Sequence, residues 1–535
     1  MILLWLILLP FLGGILAWAG AALFGAAFAR WFSAAVLAAG VVLSALLWST
    51  AGSGGERWIA AWSVPWIPSH GIALSLSADG LSVVLVALTY GLGLLSVVAS
   101  WKSIERAPGF FHFNLLWILA GTAGVFLATD LVLFFFLWEL MVLPMFFLIA
   151  VWGHENRVYA AIKFFIFTQA SGLLLLAAIL GLHFVHAANT GERTFDYEAL
   201  LRHGATGTTA MWLMLGFFTA FAVKLPAFPF HTWLADAHSE APTAGSIILA
   251  GVLLKTGAYG LIRFVLPLFP AEAAAFAPVA MAMGAAGVLY GAMLAFAQTD
   301  LKRLIACSSV SHMGFVLLGV FALNEAGLQG TVMQLVCHGL STGGLFVLAG
   351  LLYERLHTRD MRAMGGFWTA APRMGAMALF FAMASLGLPG LGNFVAEFLI
   401  LFGTFAVSPA AAAVAALGLL GAALYSLRFF QDVFQGGAPD EGASAGKPAD
   451  IVPREAVVLA VLAAGLVFLG LYPRPVLNLS ADAHWTVGFS RCPAGDAATT
   501  PQTTAEADAP AKPTDSPGIV ADNPVARITP PETTP

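Results

Sequence analysis

Residues 221–264 read FAVKLPAFPFHTWLADAHSEAPTAGSIILAGVLLKTGAYGLIRF. An apolar helix runs into this stretch and stops at Lys224, where Leu225-Pro226 and then Pro229 remove backbone donors and prevent a straight continuation. A polar turn, AHSEAPTAGS, follows. A second apolar run, SIILAGVLLKTGAYGLI, then carries another lysine, Lys255, at its centre. Within a bilayer, broken backbone is tolerated only where protein or a water-filled cavity shields it. A charge at mid-bilayer costs about 2.5–3.5 kcal/mol on insertion scales and usually marks an ion or proton path. The stretch reads as part of a transport path.

The rest of the chain supplies the membrane protein that this requires. Of 535 residues, 59% are hydrophobic and 10% charged, against about 25% charged in soluble domains. A spanning helix needs about 20 apolar residues. Such runs fall near 2–24, 31–50, 80–100, 113–129, 131–152, 163–185, 211–230, 243–265, 275–296, 303–323, 330–352, 374–406, 409–430 and 455–472. The expected fold class is an all-α polytopic membrane protein of about fourteen spans. MILLWLILLP has no positive region before its apolar stretch, so it reads as a retained first span, not a cleaved signal. Residues 493–535 hold nine of the 28 prolines and read as a disordered Pro/Thr-rich tail.

Several functions are excluded by composition. A net charge of −5 with no basic patch does not suit a nucleic-acid partner. Cys307, Cys337 and Cys492 lie far apart with no C-x-x-C pair, so no cysteine-ligated iron–sulfur cluster is expected in this chain. Neither a G-x-G-x-x-G unit nor a Walker sequence is present.

With fourteen spans the two termini share a side, and the positive-inside rule chooses it. Placing the termini outside leaves fourteen Lys and Arg in the inner loops. Only Arg57, Arg193, Arg202, Arg263 and Arg474 then lie outside. Both termini are therefore expected on the periplasmic face of a bacterial inner membrane.

The run at 374–406 would make a straight helix of about 50 Å, too long for a hydrocarbon core of about 30 Å. Leu388-Pro389-Gly390-Leu391-Gly392 should break it. The broken spans 7 and 12 lie five apart, so a five-helix repeat would place its second copy upside down. The expected organisation is a three-helix segment (1–112), two inverted five-helix repeats (113–268 and 275–430), a last span (455–475) and the tail. Interrupted spans at matching positions of inverted halves point to a transport site, although prolines also kink membrane helices for packing alone.

Four charges sit deep in these spans: Glu139, Lys224, Lys255 and Glu397. His312 and His338 lie on the tenth and eleventh spans, between Lys255 and Glu397. Any one charge fits a structural ion pair, and the two histidines alone would fit axial ligands of a haem. The set fits a proton relay better, because histidine titrates near neutral pH. Desolvation favours a neutral lysine and a nearby carboxylate favours the charged one. Moving Glu139 relative to Lys224 would therefore change how tightly the lysine holds a proton.

These residues resemble the antiporter-like subunits of respiratory complex I. The AHSEAPTAGS turn with LAGVLLKTGAYGLIRF is similar to the M (chain 4) branch of NADH-quinone oxidoreductase subunits more than to the L and N branches. LFFFLWELMVLPMF and LGLPGLGNFVAEFLILFG agree, and Glu397 stands where the M branch has a glutamate. The resemblance covers roughly residues 1–475; the tail lies outside it. It implies a proton-translocating subunit with Glu139 as gating acid and Lys224 as central carrier. Lys255 and His231 would serve the input side, and His312 and His338 would lead on to Glu397 as exit group. It further implies FMN, iron–sulfur clusters and quinone in other subunits, no cofactor in this chain, and paralogues L and N as neighbours in the bilayer. Mrp-type sodium/proton antiporter subunits share Glu139, Lys224 and the broken helices, and stay open as the alternative.

Overall fold

The computed structural model describes residues 1–51, 57–436 and 449–482. The expected tail, Cys492 and the C-terminus lie outside these. Among the described residues, thirteen helices are long and apolar enough to cross a membrane. The remaining span, span 12, is split into Pro372–Ser385 and Gly392–Val407. The expected count of about fourteen spans follows. Boundaries shift by a few residues: span 4 begins at Pro108 instead of 113, and span 6 extends over Arg157–Thr190.

One element was not expected. Between spans 2 and 3 the chain forms an antiparallel hairpin, β1 (Ala60–Ile67) with β2 (Ile72–Ala78). Gly71 closes its turn at φ +68°, and a side chain there would strike the carbonyl of Arg193. The hairpin holds the start of span 5 (Leu131–Trp152). Ala73 N–H donates to the Asp130 carboxylate at 3.0 Å, and Thr129 N–H donates to the Ser75 carbonyl at 3.0 Å.

Spans 5 and 10 begin alike, with Thr129-Asp130-Leu131 and Thr299-Asp300-Leu301. Each start is clasped by a Thr-x-Asp segment through a short antiparallel bridge, Asp130 to Asp196 and Asp300 to Asp360. The bonding repeats in detail. Leu131 N–H donates to Phe195 O (3.0 Å) and Leu301 N–H to Arg359 O (2.9 Å). Asp196 N–H donates to the Thr194 hydroxyl, and Asp360 N–H to the Thr358 hydroxyl. With five spans between them, the two clasps lie on opposite faces. One shares the hairpin face; the other lies on the far face.

Asp79 caps span 3 (Gly80–Ala99) by accepting from Ser82 N–H at 3.0 Å. Its carboxylate also forms an ion pair with Arg263 of span 8, buried under Trp58. Burial pushes the Asp79 carboxyl up, but the guanidinium outweighs it and holds the group below its ordinary value.

Candidate functional site

Glu139, Lys224 and Lys255 each sit at an irregularity of their helix, and Glu397 follows the break of span 12. Span 5 is interrupted at Met141, just past Glu139. Pro144 accounts for this, since it has no N–H for the Leu140 carbonyl. Glu139 is half-buried. Its Oε1 lies against Gly172, where a Cβ would coincide with it. A Gly172→Ala substitution would therefore displace the carboxylate.

Lys224 ends the first half of span 7 (Gly207–Lys224), where the negative end of the helix dipole favours an ammonium. It is 0% exposed, and its Nζ has no hydrogen-bond partner. The ammonium lies 5.2 Å from the Trp138 ring and 5.8 Å from the Phe164 ring. Glu139 Oε1 is also buried without a partner. The two charges are neighbours without being locked together.

The second half of span 7, Thr232–Glu240, corrects the sequence reading. AHSE is the end of a helix and not a turn; the chain turns only at Ala241-Pro242, before span 8 begins at Thr243. His231 precedes this half-helix, between the rings of Phe228 and Tyr290. It is not brought to Lys255.

Span 8 (Thr243–Leu268) contains two π-turns, Leu249–Leu253 and Leu261–Val265, on either side of Lys255. Such turns recur at functional sites because they shift the backbone pairing. Here the Ala250 carbonyl accepts from Lys255 Nζ at 2.5 Å. The same ammonium lies 2.8 Å from His338 Nδ1 on span 11 (Glu325–Leu356). Glycines permit this approach: a Cβ on Gly339 would stand 3.0 Å from the Gly251 carbonyl. Lys255 thus belongs with His338.

Two more ionisable groups lie beyond His338. The rings of His338 and His312 are 5.3 Å apart, edge to face. His312 Nδ1 lies 3.2 Å from Glu397 Oε1, and Gln334 Nε2 approaches both. Glu397 Oε2 lies against Gly387, at the break of span 12. Both acids therefore rest on a glycine.

Two groups escaped the sequence reading. His238, in the half-helix taken for a turn, is buried with neither ring nitrogen partnered, and stacks on Phe346 at 4.7 Å. Lys302, counted as a loop charge, is buried as well. Its Nζ donates to Ala241 O at 2.8 Å and lies 3.3 Å from His154 Nε2. In the loop after span 5, burial and then the Lys302 and Arg359 charges push His154 down to about 3, which keeps it neutral. These groups occupy the far face, where the second half of span 7 meets the start of span 10.

Buried amine, imidazole and carboxylate groups set between two broken helices are the arrangement of an antiporter-like membrane protein. Comparison with known proteins agrees. Residues 128–423 match the family described as NADH:quinone oxidoreductase/Mrp antiporter, TM. NADH-quinone oxidoreductase subunit M of Pseudomonas aeruginosa is 54% identical over 494 residues, covering 90% of this chain and 96% of the relative. The solved respiratory complex I of Thermus thermophilus contains a chain with a TM-score of 0.81 and 32% identity. That match covers 91% of this chain and 99% of the other. A chain of the Mrp complex from Dietzia has a TM-score of 0.77 and 25% identity, covering 90% of this chain and 52% of its own. The chain belongs to the NADH-quinone oxidoreductase subunit M family.

Proposed function

We propose that this chain translocates protons as a membrane-arm subunit of a bacterial NADH:quinone oxidoreductase. The observation that carries the reading is the buried contact series Lys255–His338–His312–Glu397, with Glu139 and Lys224 unlocked beside one another. Each member can hold or release a proton, and no covalent chemistry is needed. The far face would be cytoplasmic, where Lys302 and His238 lead toward Lys255. The hairpin face, with Arg57 and Arg193, would be periplasmic. The matching Thr-Asp-Leu clasps on opposite faces support two inverted repeats over 113–268 and 275–430. Glu139 would gate Lys224, Lys255 would take protons from the input side, and Glu397 would release them. His231 lines the break of span 7 on that same input side. Paralogous L and N subunits would flank this one, and the redox groups would lie elsewhere in the enzyme.

The test is NADH-driven acidification of inverted membrane vesicles, with NADH oxidation recorded in parallel. In an assembled Glu139→Ala complex both should fall together, by at least about tenfold, because a blocked path stalls a coupled machine. Unchanged acidification and oxidation would remove Glu139 from the path. A sodium-gradient assay would then examine the Mrp-like sodium/proton exchange alternative.

A further inference from the structure

His312 is held at both ends of its ring. Nδ1 faces Glu397 and Gln334. Nε2 lies 3.2 Å from the Tyr425 hydroxyl of span 13 (Pro409–Phe434) and 3.3 Å from the Ser385 hydroxyl. Ser385 is the last helical residue before the break of span 12. Tyr425 is 1% exposed, and Ser308 lies one turn before His312 on span 10. Nothing in the relay described above uses these hydroxyls, yet they fill the side of the imidazole opposite the carboxylate.

The chemistry of that position is restrictive. A neutral imidazole offers one donor and one acceptor nitrogen, whereas a protonated one offers two donors. A hydroxyl both donates and accepts, so it can stay bonded to Nε2 in either neutral tautomer and in the protonated ring. When Nε2 is bare, Tyr425 O–H donates to it; when Nε2 carries a proton, it donates to the Tyr425 oxygen. We propose that Tyr425, seconded by Ser385, is a positioning residue that pins Nε2 and so keeps Nδ1 aimed at Glu397 in both protonation states of His312. The inference rests on the proton-relay reading.

The step it positions is simple. The Nδ1–H bond of protonated His312 breaks, an O–H bond forms at Glu397 Oε1, and the neutral ring left behind donates from Nε2–H to Tyr425. Reprotonation at Nδ1 resets the ring without rotation. The other groups facing His312 are His338 on span 11, backed by Lys255 on span 8, and Ser308 on its own helix. Span 9 offers the Val288 carbonyl, which Ser311 already occupies. No neighbour replaces the two hydroxyls.

The experiment measures proton translocation and NADH oxidation across pH in vesicles containing the whole complex. The variants are Tyr425→Phe, Ser385→Ala and the double variant, each normalised to assembled complex. Loss of one neutral hydrogen bond should slow pumping about two- to tenfold. The double variant should fall below the product of the single effects, because each hydroxyl backs up the other. Nε2–H uses its acceptor in both states of the step, but the charged ring donates the stronger bond, so loss of the acceptor moves the alkaline limb of the pH profile to lower pH. A merely structural loss would scale the rate equally at every pH. If the double variant does not assemble, the pH profile of Tyr425→Phe decides alone. Should Glu139→Ala block pumping while these variants keep the wild-type rate and profile, the positioning role is wrong and the relay stands. Unaffected pumping in Glu139→Ala would instead overturn the relay itself.

Discussion

Replacing Lys224 by alanine is expected to abolish proton translocation by the assembled complex. The side chain is fully buried at the end of a half-helix, and no hydrogen bond ties its ammonium down. A structural lysine at such a site would be anchored by a carboxylate or several carbonyls, as Arg263 is by Asp79. Lys224 instead has aromatic faces on one side and a carboxylate nearby, and in the proposed relay it would keep or lose its proton as Glu139 moves. Removing a positioned proton-transfer group costs about 10²- to 10⁴-fold in rate. Lys224→Arg separates charge from proton carriage, because a guanidinium keeps its charge and does not release its proton. Both variants should therefore fail to acidify vesicles. Pumping by Lys224→Arg at the wild-type rate would mean that the site needs only a fixed positive charge.

Asp79→Asn should weaken the fold itself. It leaves the Arg263 guanidinium buried between Trp58 and Tyr259, with the Tyr259 hydroxyl bonded to Nε at 3.2 Å but no counter-charge. Breaking such a pair from one side costs about 3–5 kcal/mol, whereas replacing both partners by apolar residues is often neutral. Thermal denaturation of the purified complex should show a clear loss for Asp79→Asn, and Asp79→Leu/Arg263→Leu should recover most of it. Equal stability of the single variant and the wild type would mean that water reaches the guanidinium. The pair also has a pH signature. Because Asp79 is held below its ordinary carboxyl value, its contribution is complete above the unfolded value and disappears as pH falls through the folded one. Acid sensitivity at this joint should therefore begin only well below neutral pH.

The spans were legible because lipid leaves one solution to an apolar run of that length. The breaks were legible because proline has a single backbone consequence, and Glu139, Lys224, Lys255 and Glu397 stood out as charges within those runs. What escaped was polar or context-dependent. The hairpin strands mix Ala, Ser and Pro, so their alternation is weak, and their register depends on the start of span 5. Thr232–Glu240 is too polar to resemble a membrane helix, and its misreading concealed His238 with it. Lys302 was counted with the loops because a residue two positions into a helix looks superficial until its neighbours cover it. Hydroxyl groups such as Tyr425 carry no signal in sequence, since their role lies in which ring nitrogen they meet.

The two broken helices also bear on how the protein is made. The first half of span 7 is the least apolar of the thirteen long membrane helices, and neither half of span 12 is long enough to be among them. An insertion machine that releases helices into lipid one at a time gains least from these two, whose open backbone must stay hidden from hydrocarbon. They need companions before they leave the protected channel. Spans 5, 6 and 8 provide Trp138, Phe164 and Gly257 around the first break. Spans 11 and 14 provide Cys337 and Gly470 around the second. Biogenesis of this chain is thus expected to proceed in blocks of several helices, with span 12 left waiting until the last helix has been synthesised.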